Sequence, residues 1–142
     1  MLDPTKTTPN GGEEDFDWVT ARHRCSGANM FHQLRLEVEQ NIKARNDVCE
    51  ERQEREKFDF NVSGEKFSVS RGVAKKMVDF TLKGDSIFVS GNGLLRPFVG
   101  TVTLGEPFGF CRLRVDGIEL SRWQFLRMAL EDLFFKEWAV GQ

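Results

Sequence analysis

The sequence predicts an α+β domain: a long N-terminal helix, an antiparallel meander of five or six strands and a C-terminal helix, with the helices packed on one face of the sheet. Three observations predict it. Apolar residues recur at the helical period between Phe31 and Cys49. From Phe58 onward they alternate with polar residues in short runs separated by Gly-containing turns. A helix-capping sequence then stands at Ser121, ahead of a final apolar-rich stretch.

The elements follow in chain order. Phe16, Trp18 and Val19 begin ordered structure, a short helical turn across residues 16–24. Ser26 is the N-cap of the long helix, which starts near Gly27. Phe31, Leu34, Val38, Ile42 and Cys49 make one narrow apolar stripe, and the eight residues after Cys49 have no apolar side chain, so the last turns are a solvated extension. The period then becomes two. Phe58, Phe60 and Val62 form one strand, and a Ser63-Gly64 turn leads to Phe67 and Val69. After a loop from Arg71 to Lys76, Val78, Phe80 and Leu82 form the third strand, and Lys83-Gly84-Asp85 turns into Ile87 and Val89. Gly91-Asn92-Gly93 turns the chain again, and two more strands run near residues 95–104 and 108–115. Alternation of this kind leaves a sheet apolar on one face, which the helices must cover. Asp116-Gly117 is a hairpin turn signal. Ser121 and Gln124 then form a capping box, with Leu120 and Phe125 as its hydrophobic staple, and the last helix is expected over Arg122–Val140.

At 142 residues the chain is one domain by length, with 13 Phe and 3 Trp to fill a core and no Tyr. Residues 1–15 are an acidic tail, disordered by composition, and residues 16–142 form the single domain. The net charge of −2 excludes a globally basic nucleic-acid binder. The acidic excess lies at the start, where residues 1–20 carry one basic and five acidic side chains. Three cysteines, Cys25, Cys49 and Cys111, are an odd number with no close pair, which points away from a disulfide framework and toward a reducing compartment. No apolar run is long enough to cross a membrane, and no leader pattern opens the chain. The expected location is therefore cytoplasmic.

Residues with chemical potential are few. Cys25 stands at a helix start between His23, Arg24 and the helix N-terminus, a setting that favours the thiolate. A thiol-dependent enzyme would use it with His23 or His32, the only histidines. The bland alternative is a small half-buried cysteine beside a chance histidine, and no signature of a cysteine-nucleophile family surrounds it. No histidine or cysteine spacing fits a metal site, and no glycine-rich phosphate loop opens a helix, so neither metal nor cofactor is expected.

Two surfaces remain. Lys66, Lys83, Arg112 and Arg114 share the polar face of the sheet with Phe88, Phe108 and Phe110, and cations interleaved with aromatics can hold single-stranded nucleic acid. Against this, long cationic stems also simply cover exposed rings, and Asp59 and Asp79 dilute the positive field. On the last helix, Trp123, Leu126, Leu130, Leu133 and Phe134 form one apolar face, while Phe125, Met128, Phe135 and Ala139 form a second. A sheet covers one face. The second is expected to meet either another element of the chain or another protein, and its Phe and Met are types that carry interface energy. The leading expectation is a small non-enzymatic interaction module that self-associates through this helix, ahead of the thiol enzyme and of nucleic-acid binding.

Overall fold

The computed structural model describes residues 16–49, 57–72, 75–105 and 110–136. Helix α1 (Trp18–Arg24) opens it. Asp17 caps this helix: its Oδ1 accepts the Thr20 N–H at 3.1 Å and its Oδ2 accepts the Thr20 hydroxyl at 2.6 Å. These hydrogen bonds hold the Asp17 carboxyl below the usual carboxylate range. No residue of α1 is buried.

Helix α2 (Gly27–Cys49) begins where the sequence places it. The Ser26 hydroxyl accepts the Asn29 N–H at 3.1 Å, and Asp85 Oδ1, from a distant turn, accepts the Gly27 N–H at 2.8 Å. Gly27 is required there, because a Cβ would stand 2.1 Å from the Gly84 carbonyl oxygen. Met30 joins Phe31, Leu34, Val38 and Ile42 on the buried stripe. The Cys49 side chain and the solvated extension after it lie outside the described residues.

The sheet has seven strands: β1 (Phe58–Ser63), β2 (Lys66–Arg71), β3 (Lys76–Lys83), β4 (Ser86–Ser90), β5 (Phe98–Leu104), β6 (Cys111–Val115) and β7 (Ile118–Leu120). They are antiparallel and lie side by side in chain order. The expectation of five or six strands falls short of the seven observed. The missed strand, β7, is the second arm of the Asp116-Gly117 hairpin, where φ is 51° and 81° at the two turn residues. It has only three residues between the turn and the helix cap, too few to show an alternating pattern.

Register aligns Phe67 with Phe80 and Val69 with Val78, and these side chains face the helices. The Phe67 ring stacks on Phe80 with centroids 4.6 Å apart, and Phe31 of α2 lies 4.9 Å from Phe67, which docks the helix on the sheet. At the sheet edge, the Asn46 side chain binds both backbone groups of Phe58: its Oδ1 accepts the N–H at 2.8 Å and its Nδ2 donates to the carbonyl at 3.1 Å.

Helix α3 (Arg122–Phe135) packs on the same sheet face beside α2. Gln124 Oε1 accepts the Ser121 N–H at 2.9 Å, one half of the expected capping box. The helix ends at Phe135 instead of Val140, because Lys136 is extended (φ −72°, ψ 143°). Its last carbonyls are capped by two arginines. Buried Arg71 donates through Nη1 to the carbonyls of Leu133 (3.0 Å) and Lys136 (2.8 Å), and Arg45 donates through Nε to that of Phe134 (2.9 Å). Cationic donors at this end also complement the helix dipole. Arg71 is thus a β2 residue aimed at the helix, not part of a loop.

Cys25 and Cys111 are joined by a disulfide, with Cα atoms 5.2 Å apart, that ties the start of α2 to β6. This corrects the reading of the cysteines as unpaired: 86 residues separate them, and only the meander brings β6 under the helix start. With the pair oxidised, the cysteine count no longer argues for a reducing compartment. Among the described residues no helix is long and apolar enough to cross a membrane.

Candidate interaction surface on the C-terminal helix

Of the residues expected on the second apolar face of α3, Met128 (46% exposed) and Phe135 (67%) face outward. Ala139 lies outside the described residues. Phe125 does not belong to that face, for it is fully buried. Gly100 in β5 makes the room: a Cβ there would lie 2.4 Å from Phe125 Cε1. The Phe125 ring fills this slot and meets Phe98 edge-on at 5.4 Å. Trp123 moves the other way. Expected against the sheet, it is 61% exposed at the first turn of α3. The buried arc, Phe125, Leu126, Ala129, Leu130, Leu133 and Phe134, therefore spans about half the helix circumference.

A groove of about 520 Å³ runs between α2 and α3. Leu126, Leu130 and Phe134 form its floor, with Trp123 and Phe135 at opposite ends and Asn41, Ala44 and Arg45 on the α2 side. An ion pair between Arg122 Nε and Glu37 Oε2 ties the two helices near Trp123. At the other end the Arg45 guanidinium lies 5.1 Å from the Phe135 ring centroid and 5.4 Å from that of Phe58. On the outer rim Arg127 Nε meets Glu131 Oε1 at 2.6 Å, and this hydrogen bond and its charge hold Arg127 above its ordinary pKa. The groove is thus mainly apolar inside and bounded by charges of both signs.

The other candidates are placed as follows. Cys25 carries no free thiol, since its sulfur is bonded to Cys111. His23 is exposed on α1, and His32 is exposed on α2 with Nδ1 3.5 Å from Arg35 Nη2. Among the described residues no group of three or more His, Cys, Asp or Glu could hold a metal ion.

On the outer sheet face, register puts Lys66, Thr81, Phe88 and Val99 in one row across four strands. Lys83, Ser86, Thr101, Arg114 and Glu119 form another across five strands. Lys83 Nζ lies 5.5 Å from the Phe88 ring centroid, the Arg112 guanidinium lies 5.6 Å from that of Phe110, and Arg114 pairs with Glu119 at 3.0 Å. Phe110 precedes β6 instead of lying within it, and Phe108 lies outside the described residues. Lys83 and Arg112 of this face thus each lie against a ring, and Arg114 against a carboxylate.

Of two features of the helix surroundings that periodicity does not reveal, one had a sequence signal. A glycine inside a strand, Gly100, marks the close approach of another group. An arginine at the end of a strand, Arg71, had no such mark, because its partners are backbone carbonyls of a helix 62 residues away. The chain matches no protein family, no curated protein and no solved structure.

Proposed function

We propose that this chain is a non-enzymatic interaction module that self-associates through α3 and the groove beside it. The supporting observation is the pair of large aromatics, Trp123 and Phe135, left 61% and 67% exposed at the two ends of an apolar floor. Aromatic side chains around a desolvated centre, ringed by charges, are the composition of an interface core and rim. A second copy is the occupant favoured, because α3 presents charges of both signs at its rim, Arg127 and Glu131, and can therefore complement itself.

Light scattering coupled to size-exclusion chromatography at micromolar concentration tests this reading. The expected result is a mass of about twice the 16.3 kDa of one chain. A single species at the mass of one chain would overturn it.

A further inference from the structure

The exposed side of α3 carries its own symmetry. Trp123, Arg127, Glu131 and Phe135 follow one another at intervals of four, so they form a single surface ridge. Ala129 stands at the centre of this series. Arg127 and Glu131 lie two residues to either side of that level, and Trp123 and Phe135 lie six to either side. At a rise of about 1.5 Å per residue, the charges sit ~3 Å and the aromatics ~9 Å from the midpoint. In either direction along the helix the ridge runs aromatic, charge, charge, aromatic, with the two charges opposite in sign.

Resting on self-association through α3, we infer that two copies meet with their α3 helices antiparallel, about a two-fold axis at the level of Ala129. An isologous contact sets residue i against residue j and j against i. In this register Trp123 of each copy faces Phe135 of the other, and Arg127 of each faces Glu131 of the other. The parallel arrangement sets Arg127 against Arg127 and Glu131 against Glu131, and like charges oppose it. Arg127 and Glu131 already pair within one chain at 2.6 Å, so the two pairs close into a ring of four alternating charges around the axis. Exposed ion pairs contribute little binding energy. The aromatics at the two ends supply the attraction, and the charges select the direction.

Charge reversal reads this register directly. Arg127→Glu places a carboxylate against Glu131 of the other copy, twice over by symmetry. Glu131→Arg places a guanidinium against Arg127 of the other copy in the same way. Each variant alone is expected to dissociate at least ~10-fold more readily than the wild type by sedimentation equilibrium. An equimolar mixture of the two restores an opposite-charge contact at each position across the axis only when the chains pair with one another, with one carboxylate pair and one guanidinium pair of the homodimers exchanged for mixed contacts. The mixture is therefore expected to recover a heterodimer tighter than either homodimer. The double variant R127E/E131R is expected to dimerise alone, and circular dichroism of each variant checks that the helices persist. If the wild type is a monomer, self-association and this register fall together. If the wild type dimerises but neither single variant weakens it, or the double variant does not recover, self-association stands through another surface and the antiparallel register is wrong.

Discussion

Gly100 and Phe125 act as one unit at the scale of single residues. The ring of Phe125 occupies the space that a side chain at position 100 would fill, with Leu113 Cδ2 also 3.2 Å from that point. Both neighbours are fully buried, so neither yields at low cost. Gly100→Ala is expected to destabilise the fold by about 1–3 kcal/mol, the range for overpacking a closed core. Phe125→Ala, which empties the slot, is expected to cost about 3–5 kcal/mol. Urea denaturation of the two single variants and the double gives the coupling. The expectation is that Gly100→Ala costs markedly less when Phe125 is already alanine; strict additivity would show that the ring and the glycine do not depend on one another.

Among the elements, α2 has the most explicit start signal, and part of that signal comes from far away in sequence. Ser26 was legible as an N-cap because the motif is local. Asp85 was not, although its carboxylate accepts the Gly27 N–H and places a negative charge at the N-terminus of a 23-residue helix. Asp85→Ala is expected to lower stability by about 1 kcal/mol and to raise amide exchange at the first turn of α2 before the rest of the helix; unchanged exchange there would show that Ser26 suffices. The same division runs through the other elements. Six strands were readable because each has enough alternating positions, while β7 has only three. The α3 start was readable from Ser121 and Gln124. Its buried arc was not, because its width depends on a gap at Gly100 in a strand. Its end was not, because Arg45 and Arg71 supply the cap from α2 and β2. Local patterns specified the elements, and pairings across the fold decided which faces stayed exposed.

For the whole molecule, the cross-link between Cys25 and Cys111 closes a covalent loop over a sequence separation of 86, enclosing α2 and the first five strands. The entropy of closing a loop of that length in the unfolded chain corresponds to roughly 4–5 kcal/mol. Reduction is therefore expected to lower the urea midpoint substantially, and Cys111→Ser is expected to show the lower midpoint with or without reductant. A midpoint unaffected by reductant in the parent chain would contradict the cross-link. Among the described residues, a sheet whose strands follow chain order also has two margins, β1 and β7. Unpaired margins invite strands from other molecules, the first step toward fibrils. Asn46 answers this at β1. Its amide offers Phe58 the donor and acceptor that a neighbouring strand would offer, so an incoming chain finds that rung already taken. The side chain serves there as a one-residue stand-in for an eighth strand, at the first position of β1.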